Sequence, residues 1–422
     1  MLLPSRNLLL LIIVTKPISD TAKSNPLGPR LKDLSRQAVG MGILSAIVGF
    51  TSSFAIILQG LNAAGASAEQ ATSGLVALSI GMGISGIILA VRYRMPIGVA
   101  WSTPGAALLV SSAETLSSFN EAVGAFIFSA LLLVIAGWFR PLGRLIEAIP
   151  TSLANAMLAG VLLSLCMAPI HALAADAWLA TPLLLTWWLV GRINRYLAVP
   201  AALLVLVPIV IWWIGIPDEF AQQLQESIIP QIIWIMPVFE AQALISIGIP
   251  LFVVTMASQN VPGIAVLRAA GYEPKASPLI MNTGVFALLA APFGAHGINL
   301  AAITAAMMCS PEAHKERNRR YWSAIVAGMV YLVLGAIAGV AVLLITLVPS
   351  ILIEAIAGLA LLGSFSAAVY AALSDVNNRE AAAITFLFAG SGLAFMGIGG
   401  AFWGLLVGCL MYFLTRKKKT IQ

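Results

Sequence analysis

Fourteen apolar segments joined by short connections fill almost the whole chain after residue 37, and they leave it few ways to fold. Crossing the hydrocarbon layer takes about 20 apolar residues in a helix. Lipid offers no water to a free backbone group, so such segments cross as helices. The first seven run 38–58, 71–91, 96–113, 121–139, 150–168, 177–191 and 197–215. The second seven run 242–267, 276–291, 294–310, 321–347, 350–373, 380–397 and 399–415. Only 9% of the 422 residues are charged and 60% are hydrophobic, whereas soluble domains carry about 25% charged residues. The chain therefore reads as an all-α polytopic membrane protein of 14 transmembrane segments.

An odd count in each half turns the second half upside down relative to the first, a 7+7 inverted repeat. Charge tests this, because basic residues stay on the cytoplasmic side. Arg92 and Arg94 follow the second segment, Arg140 and Arg144 the fourth, and Arg192 and Arg195 the sixth. Arg268 and Lys275 follow the eighth, Lys315, Arg317, Arg319 and Arg320 the tenth, and Arg379 the twelfth. With Arg416 to Lys419 after the fourteenth and six in the N-terminal tail, all 23 basic residues lie on one side. The opposite connections carry Glu69, Glu114, Glu121, Asp176, Asp218, Glu219, Glu226 and Glu240 and no Lys or Arg. Both termini are thus expected in the cytoplasm. The net charge of +6 reflects topology rather than nucleic-acid binding, since the basic residues form no patch with interleaved aromatics. In the tail, Leu8–Val14 is too short to span and lacks a convincing cleavage site. An upstream start codon or a flexible extension fits better, and the sequence does not decide whether residues 1–30 belong to the native protein.

Two segments are broken. Met95–Val110 (MPIGVAWSTPGAALLV) runs from a Pro/Gly-rich extended stretch into a helix start, with Thr103 as the expected N-cap and Pro104 in the first turn. Pro292–Met307 (PFGAHGINLAAITAAM) repeats the pattern at an offset of 196, matching Pro96 to Pro292, Gly98 to Gly294 and Thr103 to Asn299. Interrupted segments at corresponding places in two halves point to a transporter's binding site. A helix opening inside the membrane leaves up to four N–H groups unpaired and about half a positive charge, which suits a small anion. Candidate site residues are Ser102, Thr103 and Gly105 on one broken segment and His296, Gly297 and Asn299 on the other. Ser53 and Gln59 on segment one and the adjacent Gln259 and Asn260 on segment eight complete the set. His296 is the ionisable residue at the centre of a broken segment and the proton-coupling candidate; a neutral histidine tied to frayed backbone fits equally. Phe54 and Phe293 are candidate surfaces for an aromatic ring. The cysteines, Cys166, Cys309 and Cys409, lack metal-ligand spacing, and no HExxH, P-loop or GxSxG pattern occurs, so neither metal, cofactor nor enzyme chemistry is expected.

WSTPGAALL (101–109), TMASQNVPGIAVLRAAGY (255–272) and AAITAAMMCSPEAH (301–314) resemble the benzoate/proton symporter family of bacterial inner membranes, as do GLALLGSF (358–365) and GIGGAFWGL (397–405). The likeness spans residues 36 to 415. It implies the uracil-transporter/sulfate-permease fold, with core segments 1–4 (38–139) and 8–11 (242–347) moving against gate segments 5–7 (140–241) and 12–14 (348–415). Residues 1–37 and the basic 416–422 are then cytoplasmic tails. Nucleobase members of that fold use glutamates in segments eight and ten. This chain has Gln259, Asn260, His296 and Asn299 there, which favours a substrate bringing its own negative charge. The resemblance implies import of an aromatic carboxylate with a proton, with an anion exchanger or uniporter, or a nucleobase permease, as alternatives. The partners it implies are a small anionic aromatic substrate, a proton and the lipid bilayer, with no nucleic acid; whether the protein forms a homodimer stays open.

Overall fold

In the computed structural model, residues 29–111, 116–139, 150–229, 231–395 and 398–419 are described. The expectations placed on Leu8–Val14, Glu114, Arg140 and Arg144 lie outside that set. The first helices follow from local signals. Ser35 accepts the Ala38 amide and starts α1 (Arg36–Thr51), which bends at Ser52 and Ser53 into α2 (Phe54–Ala63). A reciprocal capping box between Ser67 and Gln70 starts α3 (Ala68–Tyr93), and Arg94 ends it in a left-handed conformation at φ 50°.

The third segment is broken as expected. A short strand β1 (Val99–Trp101) leads into α4 (Thr103–Ser111). Then come α5 (Phe119–Trp138), α6 (Thr151–Ala175), α7 (Ala177–Ile193) and α8 (Ala198–Ile209), the last extended by a π turn over Val210–Ile214. A short amphipathic α9 (Phe220–Ser227) precedes α10 (Ala241–Ala269). That helix contains two π turns, Leu244–Gly248 and Met256–Asn260. Each ends two residues before a proline, Pro250 or Pro262. Proline has no N–H to donate and its ring crowds the carbonyl four residues back, and one extra residue in the turn relieves both.

The second half continues with α11 (Ala276–Ala290), strand β2 (Ile298–Leu300) and α12 (Ile303–Cys309). It closes with α13 (Tyr321–Ala336), α14 (Ala338–Thr346), α15 (Ser350–Ser374), α16 (Arg379–Gly390), the small β3–β4 hairpin (Ala394–Phe395, Ile398–Gly399) and α17 (Gly400–Lys419). Segment 321–347 is not one straight helix: α13 and α14 meet at a 56° bend. Among the described residues eight helices are long and apolar enough to cross a membrane, or nine if that bent pair is one span. The other expected segments are shorter elements: α7, α16, α17 and the two broken ones.

Small residues let these helices touch. A Cβ on Gly328 of α13 would meet the Gly83 carbonyl of α3 at 2.7 Å, and one on Gly83 would meet the Gly328 carbonyl at the same distance. Such close approach is how helices associate where lipid is as apolar as leucine. The main buried cluster runs from α1 to α6 and from α10 to α17; a second, smaller cluster joins α7 and α8 to the far end of α6 and the first turns of α15. Trp188, Trp212 and Trp213 stand exposed, while Trp187 is packed against the second cluster.

Candidate substrate site at the crossing of two broken segments

The two extended stretches pair with each other. β1 and β2 run antiparallel, Val99 opposite Leu300, Ala100 opposite Asn299 and Trp101 opposite Ile298. The ladder extends at both ends, with the Ala301 amide donating to Gly98 O (2.9 Å) and the Ser102 amide to Gly297 O (3.2 Å). A strand pair deep in a membrane protein is tolerable only where its backbone is covered by protein or faces a water-filled cavity. Here Val99, Trp101, Ile298, Asn299 and Leu300 are all buried. Beyond the ladder the chain turns into α4 on one side and α12 on the other, so two helix starts flank one crossing.

The caps differ from those expected. Ser102, not Thr103, caps α4, its Oγ accepting the Gly105 amide at 3.1 Å. Asn299 lies in β2, and α12 starts after Ala302, which provides no side-chain cap. The helix starts are Thr103 and Ile303, so the repeat spacing there is 200 residues rather than 196. The electrostatics of the two starts are therefore unequal. At α4, Pro104 has no N–H and Gly105 is already satisfied, which leaves the Thr103 amide. At α12 the first-turn amides lack a cap.

Other candidates serve the scaffold. Asn260, brought inward by the π turn, accepts the Leu300 amide through Oδ1 at 2.9 Å and so pins β2 to α10. Ser102 Oγ and Thr255 Oγ1 are 3.0 Å apart and fasten β1 to the same helix. Ser53 Oγ accepts from Trp101 Nε1 (2.8 Å) and donates its proton to Gly49 O (3.1 Å). Phe54 stacks on Phe50, which in turn leans on Trp101. A Cβ on Gly105 would fall 2.5 Å from Leu251, so that glycine admits α10. Phe293 is not at the crossing; it meets Trp234 edge-on in the connection before α10. Ser258 bonds the Val254 carbonyl locally at 2.6 Å.

Two buried groups at the crossing remain without partners among the described residues, His296 Nδ1 and Asn299 Oδ1. His296 Nε2 lies 2.8 Å from Ser102 O, and a carbonyl can only accept, so Nε2 carries the proton in the neutral ring and Nδ1 is bare. Asn299 uses its amide nitrogen on Leu300 O at 3.0 Å. The ring of His296 sits edge-on to Phe126 of α5. Gly297 is buried, yet a Cβ there would find only Ser102 Cβ within 4 Å, at 3.5 Å. The less covered residues beside the crossing are Thr103 and Gln259, both half-buried, and Ile303, which is 60% exposed. Gln59 lies on α2, one residue before Gly60, whose position sets α2 against Ala106 of α4; its Oε1 is buried and unpaired.

A family model described as "Benzoate membrane transport protein" matches residues 32–414. The chain belongs to that family. Among its relatives, the inner membrane protein YdcO of Escherichia coli is 41% identical over 371 residues, covering 88% of this chain and 94% of the relative. The benzoate membrane transport protein of Acinetobacter baylyi is 32% identical over 395 residues, 92% and 97% of the two chains. The fold is shared with solved transporter structures. The transmembrane domain of the cyanobacterial bicarbonate transporter BicA aligns with a TM-score of 0.55 at 15% identity, over 92% of this chain and 98% of that one. SLC26A9 aligns at 0.59 and 13% identity, over 93% and 67%. The benzoate transport family is one of membrane transporters, not enzymes, as the lack of catalytic motifs implied. Sequence reasoning missed Phe126 and the uncapped start at Ala302 and Ile303. Neither carries a motif; only the strand pairing reveals them.

Proposed function

We propose that this member of the benzoate transport family carries benzoate, or a close aromatic carboxylate, inward together with a proton, and that the carboxylate docks at the β1–β2 crossing. One observation carries the reading: two helix starts flank a strand pair at which His296 Nδ1 and Asn299 Oδ1 have no protein partner. The less covered residues beside the crossing offer the Thr103 amide, Gln259 and the uncapped start of α12. The fourteen elements act as fourteen crossings in two inverted sevens, with both termini cytoplasmic. The elements of segments 1–4 and 8–11 form the core that moves against the gate of segments 5–7 and 12–14.

Proton coupling follows from the histidine's geometry. Nε2 is held by Ser102 O, so a second proton goes to Nδ1 and gives the ring a positive charge. A lone cation buried here is costly, and no Asp or Glu lies within salt-bridge range of the ring among the described residues. A carboxylate entering beside Gly297 supplies the counter-charge, so anion and proton are each better bound in the other's presence. Moving them together also removes the opposing membrane potential, about 2.3 kcal/mol per charge per 100 mV. The anion-transporter neighbours favour a second reading, exchange of one anion for another.

Uptake of radiolabelled benzoate into proteoliposomes separates the two. Symport predicts accumulation driven by an inward proton gradient with no anion inside the vesicle. Uptake that needs an internal anion and ignores the gradient would establish exchange, and displacement by uracil but not by other aromatic acids would establish a nucleobase permease.

A further inference from the structure

Among the basic connections lies a pocket of about 560 Å³ that shares no lining residue with the β1–β2 crossing. Five cations line it, Arg30, Lys32, Arg94, Arg317 and Arg319, against three carboxylates, Asp33, Glu273 and Glu316, an excess of two positive charges. Arg319 meets two carboxylates, Glu316 at 2.9 Å and Asp33 at 4.0 Å. Arg317 is held in place from three sides: its Nη1 donates to Gly271 O (2.7 Å), its guanidinium stacks 5.3 Å from the Tyr272 ring, and Tyr272 donates to its carbonyl (2.8 Å). A guanidinium fixed by packing and neutral acceptors keeps its charge and its remaining N–H groups for an anion.

One wall of the pocket is the segment before α1, which is fastened across the end of α13. Trp322 Nε1 donates to Arg30 O (3.1 Å), the Arg30 amide donates to the Tyr321 hydroxyl (3.1 Å), and that hydroxyl donates to Asp33 (3.0 Å). The same segment holds two outward leucines three residues apart, Leu31 (78% exposed) and Leu34 (41%). Apolar side chains pointing out beside Lys32 and Arg36 suit a bilayer surface, where leucines enter the acyl boundary and cations meet headgroups. A soluble anion would gain nothing from the leucines.

We propose that this pocket binds the phosphate headgroup of an anionic phospholipid, with Lys32 and Arg317 as its principal ligands and Leu31 and Leu34 seated in the lipid beside it. The bound lipid fastens the segment before α1 to the inner ends of α3, α10 and α13. This assignment is independent of what the crossing transports.

The test is native mass spectrometry of delipidated protein titrated with phosphatidylglycerol. Wild type should bind it more tightly than phosphatidylcholine, and the Lys32→Gln/Arg317→Gln double variant should lose about tenfold or more of that affinity, from about 1 kcal/mol per basic residue near an anionic headgroup. Lys315→Gln/Arg268→Gln, an equal charge change outside the pocket, should bind as wild type does. Should the double variant fail to fold, Lys32→Gln alone, on an exposed side chain, should weaken binding about fivefold. Equal loss in both double variants would reduce the effect to bulk charge and overturn the site. Inorganic phosphate that raises the melting temperature as much as phosphatidylglycerol does would overturn the lipid as its source.

Discussion

Replacing Asn260 by alanine tests whether the crossing is held as described. Asn260 Oδ1 accepts the Leu300 amide at 2.9 Å, and both residues are buried. In the variant that amide loses its acceptor, an unmet buried donor costing about 1–3 kcal/mol. The truncated side chain also leaves a small void beside Met256, whose sulfur lies 3.5 Å from the asparagine nitrogen. At about 2 kcal/mol, the ratio of molecules with β2 in register to those without falls roughly tenfold or more. Asn260→Ala should therefore insert in the membrane and melt several degrees lower in detergent, about 2–4 °C per kcal/mol for a medium-sized domain. Benzoate uptake should fall by a similar factor of ten. Asn260→Asp keeps an acceptor oxygen at the same position and should hold the strand better than alanine does, although its charge weakens anion binding. Wild-type melting and uptake in Asn260→Ala would refute the argument that this bond positions β2.

Further predictions separate scaffold from site. Gln259→Ala should reduce uptake about tenfold with an unchanged melting temperature, because Gln259 is half-buried beside the crossing and takes no part in the ladder; melting and uptake falling together would make it structural. His296→Gln can keep a donor toward Ser102 O but cannot take a second proton, so uptake should survive in part while its acceleration by an inward proton gradient disappears. A gradient response like wild type's would remove His296 from coupling. Trp101→Phe should lose the bond to Ser53 and about 1 kcal/mol of stability, read as a lower melting temperature with the substrate preference unchanged. Gly328→Val should fail to give folded protein, since the Gly83 carbonyl already occupies the space at 2.7 Å; a well-folded Gly328→Val protein would disprove the close α3–α13 approach.

Much of this arrangement was legible in the sequence because lipid enforces a simple code. Apolar run lengths located the helices to within a few residues in most cases, and the Pro/Gly stretches marked both broken segments. The errors share one physical origin. Asn299 looked like an N-cap because asparagine often is one, but its position is set by pairing with Ala100, nearly 200 residues away. No local rule reports that contact. An uncapped helix start such as Ala302 leaves no signature at all. Ser53 and Asn260 were read as ligands because they are polar in an apolar segment, whereas the structure spends them on Trp101 and on Leu300. Phe293 stands three residues before His296, yet the left-handed Gly294 (φ 92°) turns the chain between them. The bend at Ile337 had no proline to announce it.

The central claim, a carboxylate held beside the β1–β2 crossing, is tested most directly by thiol protection. Ile303→Cys, in a chain with Cys166, Cys309 and Cys409 replaced by alanine, places one reactive group at the exposed start of α12. Benzoate should slow its modification by a soluble thiol reagent, half-maximally at the concentration that half-saturates uptake, while Glu219→Cys, exposed in the polar connection before α9, stays indifferent. Unchanged labelling at position 303 in a protein that still transports benzoate would place the substrate elsewhere and contradict the account.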